Sequence, residues 1–268
     1  MKRMMLYFGS FNPIHRGHVA LAEYAVEQGL CDELALVVSP QNPLKEADAQ
    51  APELDRFEMA EIACAHSKYP IKPSVVEFLL PRPSYTVDTL RYLSETHGRE
   101  MSFSILMGSD LVGQLDRWKE YETILDSYPL FVYPRRGAEV GRFRDRVTLL
   151  EGAPLQDYSS TDVREALENG EDASRMLQPE VAEYIRRKGL WTPESRLQRL
   201  TVRIEAEPAN AALHIERGKL HYRRASWGDA LNDFNRALEI DASNCEARQY
   251  VEMVQEILAF RYKDIYNP

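Results

Sequence analysis

The sequence is poor in cysteine, in basic charge and in long apolar runs, and each shortage closes off a class of protein. Three cysteines, Cys31, Cys64 and Cys245, lie far apart in 268 residues. An odd number without metal-like spacing argues against a disulfide framework or a zinc site, and points to reduced thiols in a cytoplasmic protein. Lysine and arginine total 33 against 42 aspartates and glutamates, a formal net charge of −9. That balance argues against a broad nucleic-acid surface, which needs a basic stripe, yet allows a small phosphate ligand held by a few local cations. No segment approaches the roughly 18 apolar residues of a membrane span. The opening "MKRMMLYFGSF" is positively charged, but its apolar run is too short for a secretory signal. Neither nucleic acid nor membrane is expected as a partner.

What is present is an alternation. The runs "MMLYF", "ELALVVS", "IKPSVVEF", "SFSILMG", "PLFVY" and "RVTLLEG" read as strands. Between the first of them lie helical patterns such as "RGHVALAEYAVEQG", "PELDRFEMAEIACAHS", "SYTVDTLRYLSETHG" and "DLVGQLDRWKEYETIL". Short strands alternating with longer helices predict an α/β domain over residues 1–192, a Rossmann-like doubly wound parallel sheet covered on both faces. Such sheets bind ligands at the carboxyl ends of their strands.

From about Thr192 the strand-like runs stop and only helical periodicity remains. In "ALHIERGKLHYRRASWGDALNDFNRALEIDASN", Gly218, Ala230 and Ala237 are small and Phe234 is large. The spacing suits two antiparallel helices in close contact and resembles one tetratricopeptide repeat. "RLTVRIEAEPAN" resembles the end of a degenerate preceding repeat, and "CEARQYVEMVQEILAFRYKDIY" a capping helix. Arg217 and Ala242 depart from the usual apolar and proline positions, so a plain helical hairpin is the alternative. Residues 193–268 are therefore expected to form a small all-α, tetratricopeptide-like domain. It could bind a protein partner, mediate self-association or cover apolar surface. Repeats need neighbours for stability, so docking on the first domain is expected.

The densest chemistry lies in "GSFNPIHRGH", Gly9 to His18, immediately after the first strand. A helix N-terminus exposes unpaired N–H groups and attracts anions. Gly17 allows close approach, Pro13 fixes the chain ahead of it, and His15 and His18 add ring donors toward the same place. The pattern suits an α-phosphate gaining charge during nucleotidyl transfer; alone, an H-x-x-H pair would read as capping or as a partial metal site. A second element, "YSSTDVREAL", opens a helix with Ser159, Ser160 and Thr161, followed by Arg164. These groups either cap that helix or grip the distal phosphates of a nucleoside triphosphate.

The first segment carries the signature of the nucleotidyltransferase superfamily, and the second is similar to its distal phosphate motif, with Tyr158 in place of an isoleucine. Together with "RPSYTVDTLRYL", "MGSDLVGQLDRWKEYETIL" and "YIRRKGLW", the chain from Met4 to Trp191 resembles bacterial nicotinate-nucleotide adenylyltransferase. The resemblance implies adenylyl transfer from ATP to nicotinate mononucleotide, with Mg2+ carried by the ATP and no dedicated metal ligands. It implies catalytic roles for His15, His18, Lys45 and Arg164. It implies nucleotide contacts at Gly9, Ser10, Phe11, Gly17, Gly108, Asp110, Ser159, Ser160 and Thr161. Ser84, Tyr85 and Thr86 would receive the pyridine carboxylate on backbone N–H groups, and Trp118 would stack on the pyridine ring. Read as residues alone, Asp110 and Ser84 could be helix caps and Trp118 a core-facing helix residue. Ser10 and Asn12 replace a common Thr and Asp, Leu44 replaces a histidine, and the loop before Lys45 is short. Rival readings are a related enzyme acting on nicotinamide mononucleotide or phosphopantetheine, and a non-catalytic nucleotide-binding scaffold.

Overall fold

A computed structural model describes residues 1–40, 50–155 and 157–263. In chain order the first elements are β1 (Lys2–Gly9), α1 (Arg16–Glu27), β2 (Glu33–Val38), α2 (Glu53–Cys64), β3 (Ile71–Ser74), α3 (Thr86–His97) and β4 (Met101–Gly108). There follow α4 (Ser109–Val112), α5 (Tyr121–Ser127), β5 (Leu130–Tyr133), β6 (Thr148–Leu149), α6 (Ser160–Glu168) and α7 (Pro179–Lys188). The strands form one six-stranded sheet in the order β3-β2-β1-β4-β5-β6. Every pairing is parallel.

Continuous apolar runs explain why β1, β2 and β4 are central. Met5, Leu6, Leu34, Leu36, Val37, Ile105 and Leu106 are all buried, so both faces of these strands are covered. One face places Leu6, Val37, Ile105 and Val132 against Leu90 of α3 and Ile124 of α5. Alternation turns Met5, Tyr7, Leu34 and Leu36 to the opposite face, where the chain supplies Ala22 and Ala25 of α1 and Met59, Ala60 and Ala63 of α2, also buried. From β1 the chain steps outward to β2 and β3, then returns to the other side of β1 as β4. The carboxyl ends of β1 and β4 therefore flank a topological switch point, the place where such sheets hold ligands.

Two stretches depart from the sequence-based expectation. The segment "DLVGQLDRWKEYETIL" is broken into α4, a 3₁₀ turn at Leu115–Arg117, and α5. Gly113 ends α4, and Glu120 takes a left-handed φ of 50° ahead of α5. The apolar Val112, Leu115 and Ile124 still reach the core through these turns. The third strand stops at Ser74 and gives way to a 3₁₀ turn over Val76–Leu79. Pro73 removes a ladder donor there, which an edge strand tolerates.

The described residues divide into two compact units, 1–164 with 173–188, and 165–172 with 189–268. The second contains α8 (Pro193–Ala206), α9 (Ala211–Arg223), α10 (Trp227–Ile240) and α11 (Cys245–Lys263). Gly218 is small because Phe234 lies against it: a Cβ there would stand 2.8 Å from the ring. Phe234 in turn stacks on Tyr250, with ring centroids 4.7 Å apart. Arg217, unusual as a polar residue at its position, donates two hydrogen bonds to the buried Asp233 at 2.8 and 2.7 Å. Asp233 also faces His214 Nδ1 at 3.4 Å. Among the described residues no helix is long and apolar enough to cross a membrane.

Candidate active site

The turn after β1 is built by three residues. Gly9 leaves space for the Phe11 ring, which would lie 3.0 Å from a Cβ at Gly9. Phe11 is buried and holds a left-handed φ of 44°, a conformation that costs a non-glycine residue about 1–3 kcal/mol and persists only where its surroundings enforce it. His15 follows as the N-cap of α1 in extended conformation. The two imidazoles then stack, centroids 3.7 Å apart and planes inclined by 23°. Edges of Phe11 and Tyr7 pack on His18, and Tyr158 packs on His15.

Packing sets the chemistry of each ring. The backbone N–H of His15 donates to His18 Nδ1 at 3.2 Å, so the neutral His18 ring carries its proton on Nε2. Both ring nitrogens of His15 are buried without a hydrogen-bond partner among the described residues. Burial, and secondarily the nearby Arg135 cation, lower the His15 pKa to about 4, against a small opposing pull from Asp162. His15 is thus neutral at pH 7 and offers one N–H rather than two. In the unfolded chain the ring binds its proton near 6.5, so folded stability contributed here is present above pH 6.5 and lost as pH falls toward 4. The full span corresponds to on the order of 3 kcal/mol. Denaturant titrations between pH 7 and 4 should show a shallower decline for His15→Asn than for the natural chain. Parallel curves would show that His15 is not the group held neutral.

The histidines line a cleft of about 280 Å³ together with Gly17, Tyr7, Tyr133, Arg135, Arg136 and Tyr158. Tyr7 and Tyr133 share a buried hydroxyl–hydroxyl hydrogen bond of 2.9 Å. Arg135 lies over the Tyr133 ring, its buried Nε 3.8 Å from Asp110 Oδ1 and without a hydrogen bond among the described residues. Gly108 makes this convergence feasible. A Cβ there would stand 2.3 Å from Asp110 Oδ1, 3.1 Å from Arg135 and 3.3 Å from Tyr133. Tyr7, Tyr133 and Arg135 were not expected from the sequence, where "MMLYF" and "PLFVY" read only as strands.

The first turn of α6 is fastened to the same loop. Ser160 Oγ donates to the Pro13 carbonyl at 2.9 Å, and Arg164 Nη1 to the Asn12 carbonyl at 2.7 Å. Ser159 is engaged by Asp162, which accepts from its N–H at 2.6 Å and its hydroxyl at 2.7 Å. Arg164 Nη2 also donates to Thr161 Oγ1 at 3.1 Å. A phosphate arriving here would exchange with these short-range bonds.

Ser84, Tyr85 and Thr86 stand apart from the cleft lining, at the start of α3. The N-cap is Tyr85, not Ser84, and among the described residues no side chain caps that helix, which leaves its leading amides open to an anion. The buried Ser84 hydroxyl instead donates to Glu77 at 3.1 Å, as does that of Thr89. Likewise α4 is capped by Gly108, not Asp110. Trp118 is half-buried and packs against the core under β4 and β5. Its neighbours tie that segment to α3: Lys119 reaches Asp88 at 2.9 Å and sits over the Tyr85 ring, and Arg91 pairs with Glu120 at 2.7 Å. Lys45 lies outside the described residues.

Residues 6–166 match the cytidylyltransferase-like family. A probable nicotinate-nucleotide adenylyltransferase of Flavobacterium psychrophilum is 38% identical over 185 residues, covering 67% of this chain and 94% of that protein. One from Bacteroides thetaiotaomicron is 41% identical, covering 68% of this chain and 89% of that protein. The chain belongs to the nicotinate-nucleotide adenylyltransferase family. About a third of this family member lies outside each of these matches. Among solved structures, Plasmodium falciparum nicotinic acid mononucleotide adenylyltransferase complexed with NaAD superimposes with a TM-score of 0.62 at 20% identity, over 71% of this chain and 98% of that one. At that identity the likeness concerns the fold.

Proposed function

We propose that the cleft at the β1–β4 switch point transfers the adenylyl group of ATP to nicotinate mononucleotide, giving nicotinate adenine dinucleotide and pyrophosphate. The observation that carries this reading is the stacked His15–His18 pair at the mouth of α1, facing one cleft with Arg135. A phosphate oxygen of the mononucleotide attacks the α-phosphorus of ATP in line. The new P–O bond forms as the bond to the β-phosphate oxygen breaks, and the electron pair leaves with pyrophosphate. A phosphate monoester is already nucleophilic at neutral pH, so the residues position reactants and stabilise charge. His18 Nε2–H, the His15 ring and the Arg135 guanidinium would face the α-phosphate. Ser159, Ser160, Thr161 and Arg164, with Lys45, would hold the departing phosphates.

Gly9, Ser10, Phe11 and Gly17 would form the floor against the nucleotide, and Gly108 and Asp110 would meet sugar or base. The uncapped start of α3 supports Ser84–Thr86 as the seat of the pyridine carboxylate, with Trp118 against the ring. Magnesium would arrive with the triphosphate, held by phosphate oxygens and water. The free cysteines support a cytoplasmic setting. For 193–268, the close Gly218–Phe234 contact supports the tetratricopeptide-like reading, and with it a role in partner binding or self-association.

Acid and amide mononucleotides, compared in a pyrophosphate-release assay, test the assignment. Turnover with the acid, and a kcat/KM for the amide lower by about tenfold or more, is the expected result. Equal or better use of the amide, or no dinucleotide from either, would overturn it.

A further inference from the structure

Arg56 is 1% exposed, and among the described residues its guanidinium makes no hydrogen bond or ion pair with a carboxylate. It donates instead to four backbone carbonyls: Ser10 and Ser39 from Nη1 at 2.7 Å each, Pro40 from Nη2 at 2.8 Å, and Ala51 from Nε at 3.1 Å. A charge so deeply buried is costly unless its donors are satisfied. Burial pulls its pKa down to about 10, and it remains a cation at neutral pH. The four carbonyls belong to three separate pieces of chain: the nucleotide turn after β1, the exit of β2, and the residue that precedes α2 by two positions. Only a planar fork of five N–H donors can collect such a set from one side chain.

Further bonds close the same network. Ser39 N–H donates to the Gly9 carbonyl at 2.9 Å, beside the bond from Arg56 to Ser10. Asn12 Oδ1 accepts from the Ala51 N–H at 2.8 Å, while its carbonyl accepts from Arg164. The left-handed Phe11 therefore sits between two residues that are each held from outside the turn, Ser10 by Arg56 and Asn12 by Ala51. That bracketing supplies the enforcement its backbone requires, and it sets the angle at which the chain delivers His15 and His18.

We infer that Arg56 is a positioning residue for adenylyl transfer: by clamping the carbonyls of Ser10, Ser39, Pro40 and Ala51 it fixes the nucleotide turn in the shape that aligns the paired histidines. The inference rests on the reading of the cleft proposed above. It requires that loosening the clamp harm turnover more than binding of the mononucleotide, whose seat on α3 makes no hydrogen bond with Arg56 among the described residues. A merely structural arginine would lower thermal stability and the fraction of folded enzyme, while leaving each folded molecule as fast as before.

The test uses the full chain and counts folded sites by calorimetric titration with ATP. R56K keeps the charge but loses the fork. Its kcat per ATP-binding site should fall by about tenfold or more, with KM for nicotinate mononucleotide unchanged within about threefold. A per-site kcat within about twofold of the natural chain, whatever the melting temperature, would overturn the inference. Should R56K not fold, the Asn12 end of the clamp decides. N12A removes the acceptor for Ala51 N–H and should lower per-site kcat by about fivefold or more, while N12D, which still accepts, recovers most of it. Equal rates for N12A and the natural chain would overturn the inference. A natural chain that binds ATP but makes no dinucleotide would instead remove the functional reading itself, so the two failures are told apart.

Discussion

His18→Ala should lower kcat by about 10²–10³-fold while KM for ATP moves by less than about threefold. The asymmetry follows from the tautomer. His18 Nδ1 is occupied by the His15 backbone N–H, so its remaining proton is fixed on Nε2 before substrate arrives. A donor oriented in advance matters most when charge develops on the α-phosphate and least when ATP first docks. The substitution also removes one half of the imidazole stack. ATP affinity and melting temperature should therefore be measured beside kcat, to confirm that the site survives. Near-normal turnover in an intact, ATP-binding variant would strip His18 of its role. A loss confined to KM would make it a ground-state contact.

Arg135→Met should lower kcat/KM by about 10²-fold, the second largest effect, and should also change His15 in the ligand-free protein. Arg135 is the second cause, after burial, of the depressed His15 pKa. Removing its positive charge makes the imidazolium less unfavourable, so the His15 pKa must rise from about 4 toward its ordinary value, not fall further. An NMR titration of the imidazole resonances reads this directly. Arg135→Lys should keep most of the pKa depression yet lose much of the rate, because a point charge replaces a planar donor set. Unchanged kcat/KM in the Met variant would exclude Arg135 from the phosphate site. An unchanged His15 titration would mean that burial alone holds the ring neutral.

The strands most legible in the sequence were those buried on both faces. "ELALVV" has no polar alternation because nothing in it meets water except its first residue, and its length bounds it as a strand. The histidine turn was legible because its chemistry is local, all within ten residues. The Arg135 site was not, since it depends on strand order: β5 follows β4 outward, and the absent side chain at Gly108 lets Tyr133 lean back to Tyr7 across the sheet. Periodicity alone does not report that contact. Arg56 did leave a trace. It shares the buried stripe of α2 with Met59, Ala60 and Ala63, at i+3, i+4 and i+7, and a cation is out of place on such an apolar stripe. The break at Glu120 left no such trace, because a left-handed φ at a glutamate is imposed by its surroundings.

The reversal of strand order at β1 also bears on how the protein is made. Until β4 (residues 101–108) has left the ribosome, β1 is an edge strand, its apolar residues and unpaired N–H and C=O groups open on the side that β4 will cover. The α6 residues that fasten the histidine turn come more than fifty residues later still. Synthesis therefore passes through a long interval in which the most sticky strand is finished and its cover is not, and that interval is when a chaperone would have most to protect.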